Sequence, residues 1–313
     1  MIRHLDIVGD VHGHADVLER LLRQMGYQPH GKGYRRSGHQ LVLVGDLIDR
    51  GPQQRRVLEI VRTMRDAGDA QVVMGNHEFN ALCYAAPDGR GGYVRPHHTV
   101  NNHQHEAFLA EFPFGSDAHA EALEFFRSLP VWLDLGGVRV IHACWHEPSM
   151  RLLEDRLQQG MTDELLLAYG ERGDVYDALE ILLKGPEAHL PDGVVFHDKD
   201  GHRRRRARVN WWQLHKGSPD AFALPADLLA GQNMQASLER AACYAYQDSV
   251  PLFFGHYWQR NFTPPTLTSA DGHAWCLDYS VARGGQLVAA TVNLTDGQPG
   301  RCVAWHAVSA VAP

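Results

Sequence analysis

The fold turns on one stretch: Leu41-Val42-Leu43-Val44-Gly45-Asp46-Leu47-Ile48-Asp49-Arg50-Gly51-Pro52. Four apolar residues in unbroken succession predict a strand covered on both faces, and such strands belong to layered α/β proteins. The glycine ending the run opens a polar cluster. Pro52 then fits a first helical turn, and Val57, Ile60, Val61 and Met64 recur at helical spacing up to Gly68. The same order of strand, loop and helix stands upstream, where Ile7-Val8-Gly9-Asp10 leads to Val17, Leu18, Leu21, Leu22 and Met25, closed by Gly26. Downstream, Gln71 to Met74 forms a third strand that ends in Gly75-Asn76.

Working outward, residues 87–104 are rich in Gly, Pro, His and Asn and read as a long loop. Residues 106–129 read as helical, interrupted near Pro113-Phe114-Gly115, and 138–142 as a strand. From Arg151 to about Tyr246 the pattern is mostly helical and polar. It contains the basic run Arg203-Arg204-Arg205-Arg206-Ala207-Arg208 and adjacent tryptophans Trp211 and Trp212. Short strands return at 252–255, 274–279, 286–292 and 301–308.

Chemistry-bearing residues gather where these strands end. Asp10-Val11-His12, Gly45 to Pro52, Gly75-Asn76-His77-Glu78 and Gly255-His256 each follow an apolar run, and His142 closes its own. In open α/β sheets ligands collect outside the carboxyl ends of strands, so loops distant in sequence can meet there. Asp10 and His12 are two apart, which in an extended chain sends both side chains to one face, as two ligands of one ion require. Mixed carboxylate and imidazole donors suit manganese, iron or zinc better than calcium. Each piece alone has an ordinary reading: an aspartate after a strand more often caps a helix, and a lone histidine more often lies on the surface or in a core. Three such clusters in order, each in the same strand-to-loop context, point to one site.

The chain has 313 residues, 44% hydrophobic and 21% charged, which is the composition of a folded globular protein with one large domain or two smaller ones. Thirty Lys and Arg against 37 Asp and Glu give a net charge of −7, so neither nucleic acid nor an anionic membrane is drawn by overall charge. An anionic ligand needs a local positive site. The N-terminal segment lacks the pattern of a signal peptide, and no apolar stretch reaches the roughly 20 residues that cross a bilayer. Cys83, Cys144, Cys243, Cys276 and Cys302 are scattered without a C-x-x-C pair. Free thiols in a cytoplasmic protein are therefore expected. No Walker-type phosphate loop occurs, and His77-Glu78 is followed by Asn80-Ala81 rather than by the second histidine of a zinc-protease helix. Of 20 histidines, 13 fall in the first 150 residues. The densest group (His97, His98, His103, His105) fits no standard ligand spacing and reads as a polar loop near the rim of a site.

Asp10-Val11-His12-Gly13, Gly45 to Gly51 and Gly75 to Glu78 resemble the signature motifs of calcineurin-like metallophosphoesterases, in the branch with phosphoprotein phosphatases and symmetrical diadenosine tetraphosphate hydrolases. His142 and His256 resemble that family's two later metal histidines, and Leu277 to Gly285 its closing stretch. The resemblance covers about residues 1–145 and 250–295. It implies a four-layer αββα sandwich of two mixed sheets, with a core at 1–150 and 250–313 and a helical cap at 151–249. It implies two divalent ions, manganese first, with iron, zinc or nickel as alternatives. Asp46 would bridge them, with Asp10 and His12 completing one ion and Asn76, His142 and His256 the other. A hydroxide held between the ions would attack phosphorus, Arg50 would hold phosphate oxygens, and His77, supported by Asp49, would protonate the leaving oxygen. The family also places a second arginine over the phosphate, for which Arg205, Arg206 and Arg208 are candidates.

The expected enzyme is a hydrolase of phosphomonoesters or phosphoanhydrides. Nucleotides or small phosphorylated molecules are preferred over phosphoproteins, because a cap and an arginine cluster suit a ligand with several phosphates. Nucleic acid enters only as a substrate for a polynucleotide phosphatase, and a non-catalytic metal-binding module is the reading from a different class. The basic run and the two tryptophans could also hold nucleic-acid backbone and stack on a base, although a solvated face over core tryptophans is the commoner arrangement.

Overall fold

The architecture is that of a computed structural model that describes residues 2–191, 194–197, 203–216, 221–222, 235–264, 273–295 and 297–311. In chain order the first half runs β1 (His4–Val8), α1 (Ala15–Gln24), β2 (Gln28–His30), β3 (Gly33–Arg35), β4 (His39–Leu43), α2 (Gln54–Asp66) and β5 (Ala70–Val72). It continues with α3 (Asn76–Ala85), α4 (Thr99–Glu111), α5 (Asp117–Arg127), β6 (Trp132–Asp134) and β7 (Arg139–Ile141). Next come α6 (Glu147–Leu157), α7 (Asp163–Gly170), α8 (Asp174–Lys184), β8 (Glu187–His189), β9 (Phe196–His197), β10 (Arg203–Arg204), β11 (Arg206–Arg208) and a helix at Gln235–Ala241. The chain closes with β12 (Leu252–Phe254), β13 (Ala274–Cys276), β14 (Asp278–Tyr279), β15 (Gln286–Asn293) and β16 (Arg301–Ser309).

Two mixed sheets form the centre. In the larger, the order is β14-β15-β1-β4-β5, with β16 also paired to β15; β1, β4 and β5 are parallel, while β15 runs antiparallel to β14, β1 and β16. In the smaller, β13, β12 and β7 are parallel and β6 is antiparallel at the edge. Alternation along the strands separates two apolar layers. Leu5, Ile7, Val42 and Val44 meet Val138, Val140 and Phe253 between the sheets. Val8, Leu41 and Leu43 turn the other way, onto Val17, Leu18, Leu21 and Leu22 of α1 and Val57, Ile60 and Val61 of α2. Ile141 and Phe254 of the second sheet belong with Leu179, Leu182 and Leu183 of α8, which gives the fourth layer. Each fully buried Val, Leu or Ile here contributes about 1.5–3 kcal/mol over an exposed one.

One polar node sits inside this frame. Asp6 of β1 is fully buried and accepts hydrogen bonds from Tyr27 (2.9 Å), His39 Nδ1–H (2.8 Å) and Thr291 (2.6 Å), tying β1 to β4, β15 and the segment after α1.

The structure corrects the sequence reading in three places. The loop expected over 87–104 gives way to α4 from Thr99 onward; its only buried residues are His105 and Phe108, so the apolar period was hidden behind a buried histidine. The third strand, expected to end in Gly75-Asn76, stops at Val72, and Asn76 instead opens helix α3 (Asn76–Ala85), whose first turn the polar motif fills. The stretch expected to be mostly helical from 151 to about 246 is helical through Lys184, after which the described residues include the short strands β8 to β11.

Candidate functional site

The loops that leave β1, β4, β5, β7 and β12 converge at one end of the sandwich. Asp46, at the centre, is buried. Its Oδ2 lies 3.5 Å from His12 Nε2 and its Oδ1 3.3 Å from His142 Nε2. Asn76 Oδ1 lies 3.0 Å from His142 Nε2 and 2.7 Å from His256 Nδ1. Two triples of potential ligand atoms result, His12-Asp46-His77 and Asp46-His142-His256, and Asp46 belongs to both. Asp10 belongs to neither triple and lies against the second, accepting the backbone N–H of His256 at 3.1 Å.

Backbone carbonyls fix the imidazoles. His12 Nδ1–H donates to Ile48 O (2.9 Å) and His142 Nδ1–H to Val44 O (2.8 Å), which leaves each Nε2 lone pair facing Asp46. His12 Nε2, His256 Nε2 and Asp10 Oδ1 are buried without a hydrogen-bond partner among the described residues. Orphaned imidazole nitrogens and a carboxylate oxygen around a shared aspartate are the donor set of a divalent cation site, so these residues fit the implied metals.

Electrostatics agree. Burial pushes the His12 pKa down to about 3 and lowers those of His142 and His256, so all three imidazoles are neutral, the form that binds a metal. Burial, together with the neighbouring carboxylates Asp278 and Asp46, pushes Asp10 well up. Burial would raise Asp46 too, but His142, His77 and His12 hold it at about 2. Asp10, Asp46 and Asp278 crowd three carboxylates together, a repulsion that divalent ions relieve.

The backbone carries strain here as well. Of eight non-glycine residues with positive φ among the described residues, six belong to this end of the molecule: His12 (45°), Asp46 (50°), Asp49 (67°), Arg50 (72°), His256 (66°) and Ser280 (62°). Such conformations cost about 1–3 kcal/mol each and persist only where surroundings over-determine them. They also correct one local argument: His12 is left-handed, so Asp10 and His12 are not joined by an extended chain. Gly75 shows how tight the crossing is, since a Cβ there would overlap the backbone nitrogen and Oδ1 of Asp46. Glu78, fully buried, accepts the N–H groups of Asp46 (2.9 Å), Leu47 (2.8 Å), Ile48 (3.3 Å) and Gly75 (2.9 Å), clamping the β4 loop to the first turn of α3.

His77 Nδ1–H donates to Asp49 Oδ2 at 2.6 Å, and Asp49 Oδ1 accepts from His105 Nδ1–H at 2.9 Å. Burial alone would lift the Asp49 carboxyl, yet these two bonds hold it far below the usual carboxylate range. Burial would lower His77, and the charges of Asp46 and Asp49 raise it instead. Arg50, exposed, brings Nη2 to 3.4 Å from His77 Nε2. A proton donor, its orienting carboxylate and a guanidinium thus stand beside the candidate metal ligands.

Every residue read from sequence as part of the site is therefore at one end of the fold. Three others were missed. Glu78 stood inside a motif but was given no task, and Asp278, whose carboxyl burial pushes up to about 6, stood in the closing stretch. His105 belonged to the cluster read as a polar rim loop; it is instead fully buried and bonded to Asp49, and His97 is stacked between Tyr84 (3.7 Å) and Tyr93 (4.0 Å). Their signal was burial, which no local pattern carries. The base-stacking role weighed for the tryptophans fails for Trp211, which is fully buried and donates Nε1–H to Ala143 O at 2.9 Å, and Trp212 packs on Phe254 and Tyr257. The arginine run divides: Arg204, Arg206 and Arg208 line a cavity of about 510 Å³ with Lys184, and Arg203 and Arg205 another of about 410 Å³ with Arg240. Of the three arginines considered for the phosphate, Arg208 is the one set over Tyr257, at 5.7 Å.

Among curated proteins, the chain is 31% identical over 145 residues to an asymmetrical bis(5'-nucleosyl)-tetraphosphatase PrpE of Oceanobacillus iheyensis, covering 44% of this chain and 54% of that one. It is 43% identical over 76 residues to a symmetrical bis(5'-nucleosyl)-tetraphosphatase of Thioalkalivibrio sulfidiphilus, covering 24% of each. To the symmetrical enzyme of Aromatoleum aromaticum it is 33% identical over 139 residues, 44% of this chain and 42% of that one. The chain thus spans about half the length, or less, of the curated relatives it matches. The family model for calcineurin-like phosphoesterases matches residues 4–256, a span that includes β1 to β12 and every candidate metal ligand named above. The chain belongs to the calcineurin-like phosphoesterase family.

Proposed function

We propose that this protein is a metal-dependent hydrolase of phosphoester or phosphoanhydride bonds acting on nucleotides or other small phosphorylated molecules. The observation that carries the reading is Asp46, one oxygen toward His12 and the other toward His142, with the His77–Asp49 pair and Arg50 beside it. Asp10, His12 and Asp46 would hold one divalent ion, and Asp46, Asn76, His142 and His256 the other, with manganese the first metal to try. Bound there, the ions supply Lewis-acid charge and an activated water.

The chain's own side chains do the rest. Arg50, exposed at the rim with a planar fork of donors, binds phosphate oxygens. His77, kept protonated by Asp46 and Asp49, delivers its Nε2 proton to the leaving oxygen, and Asp49 fixes the ring for that transfer. Arg208, over the Tyr257 ring at 5.7 Å and with its charge acting on His256, would be the second arginine over the phosphate. In this reading residues 1–150 and 250–313 are the catalytic core and 151–249 its cap. The relatives' tetraphosphatase names favour nucleotides over phosphoproteins as substrates. Cytoplasmic residence is supported by five free cysteines and, among the described residues, by no helix long and apolar enough to cross a membrane.

The test is hydrolysis of p-nitrophenyl phosphate, its bis ester, diadenosine tetraphosphate and phosphopeptides with Mn²⁺, before and after chelation. Metal-dependent turnover greatest on the tetraphosphate is expected. No turnover of any of them would leave the non-catalytic module as the better account, and turnover confined to phosphopeptides would reassign the substrate.

A further inference from the structure

Arg50 is not alone at the rim. Its Cζ lies 4.7 Å from the ring centre of Trp258, two residues beyond His256, and the Cζ of Arg283 lies 3.9 Å from the same ring. All three side chains are exposed, Trp258 at 41%. The two positive charges therefore sit within about 10 Å of each other, the distance over which 0.1 M salt screens charge. Among the described residues neither guanidinium forms an ion pair. Two guanidiniums on one indole, in a protein of net charge −7, concentrate positive charge at this rim, where an anion can lie against both.

The position of Arg283 is built into the fold. It ends a single turn, Val281–Arg283, bounded by left-handed Ser280 (φ 62°) and Gly284 (φ 78°). Asp278 Oδ1 accepts the Ser280 N–H at 2.9 Å, the Ser280 hydroxyl donates to Gln259 O at 3.1 Å, and Gln259 N–H donates to Asp278 O at 2.8 Å. These bonds pin the turn to the segment that carries His256 and Trp258. Indole stacking orients a guanidinium plane while leaving its N–H edges free for phosphate oxygens.

We propose that Arg283, stacked on Trp258 beside Arg50, binds the phosphate next to the one that is hydrolysed, so that the site selects chains of phosphates over a lone phosphoryl group. This rests on the phosphohydrolase reading, which places the scissile phosphate at Arg50. The ligand class is a linear polyphosphate, free or esterified to nucleosides.

Binding to the manganese-loaded protein tests it by calorimetry, with diadenosine tetraphosphate made non-hydrolysable by methylene bridges compared with orthophosphate. Replacing Arg283 by Gln should lower the ratio of the two affinities about tenfold, the effect of losing one charge-assisted contact. Trp258→Leu, which removes the platform, should lower it in the same direction. Arg172→Gln is the control, because Arg172 also stacks on an exposed-side aromatic, Tyr176 at 4.3 Å, in another part of the molecule. An unchanged ratio in Arg283→Gln, or an equal fall in Arg172→Gln, overturns the proposal. Binding is read without turnover, so loss of all hydrolysis in the wild type would sink the functional reading while the affinity ratio still decides the role of Arg283.

Discussion

At the scale of single residues, the site separates groups that hold charge from groups that hold other groups. Asp46 belongs to the first kind, since both its oxygens face imidazole nitrogens. Asp46→Asn should remove both metals together, read as metal content after gel filtration, whereas His77→Ala should keep them and lower turnover about 10²- to 10⁴-fold. Metal loss in the His77 variant would make His77 a ligand, in keeping with its place in the His12-Asp46-His77 triple. His105 belongs to the second kind. With His105→Leu, Asp49 Oδ1 is left buried without its 2.9 Å donor, at a cost of about 1–3 kcal/mol or more and with His77 less firmly oriented. His105→Asn retains a donor near the Nδ1 position. Turnover should fall at least several-fold in the leucine variant and recover in the asparagine variant with metal content constant; equal losses in both would show that only packing matters there.

Elements set how closely these residues approach. Gly255 follows β12 so near Asp10 that a Cβ would overlap Asp10 Oδ1, so Gly255→Ala should weaken metal affinity about 10- to 100-fold by displacing that carboxylate. An unaltered affinity in a metal titration would put Asp10 outside the coordination sphere. On the opposite side of the larger sheet, α1, α2 and the β2–β3 hairpin meet at Glu19, which accepts from Arg23 (2.7 Å), Tyr34 (2.8 Å) and Arg56 (2.8 Å). Burial would raise the Glu19 carboxyl, but these partners lower it below its ordinary value. A carboxylate lowered in the folded state adds stability at pH above its unfolded value, about 4.3, and loses it as pH falls through the lower folded value. Glu19→Gln should therefore cost about 1 kcal/mol in urea unfolding at pH 7 and much less near pH 3. A gap of the same size at both values would mean the bonds and not the charge supply it.

For the molecule as a whole, the same crowding of carboxylates that suits a cation makes the metal part of stability. A ligand at 100 times its Kd adds about 2.7 kcal/mol to folding, which for a chain of this size raises Tm by about 4 °C. Mn²⁺ should produce such a shift in thermal unfolding, EDTA should reverse it, and Asp46→Asn should abolish it. A shift of the same size in that variant would place the ion elsewhere. Two cation-rich rims, Arg50 with Arg283 and the face carrying Arg204, Arg206 and Arg208, then reconcile an acidic protein with an anionic ligand, because charge acts through its local arrangement.

The sequence by itself determined the layered α/β class and the place of the candidate metal ligands, because strand, glycine and polar cluster follow one another locally and each cluster lies within a few residues of its strand. The continuous apolar runs at Leu41–Val44 and Leu252–Phe254 are legible for the same reason. Only the tertiary structure decided which groups His105, Glu78, Asp278 and Arg283 meet. His105 is 56 residues from Asp49, and Arg283 meets Arg50 only through Trp258. The start of helix α3 was hidden because the polar motif Asn76-His77-Glu78 fills its first turn, and that of α4 because its inward face carries a histidine. Periodicity reports which face of an element is apolar. Polar groups buried for chemistry break that period, so their roles are fixed by the contacts that folding brings together.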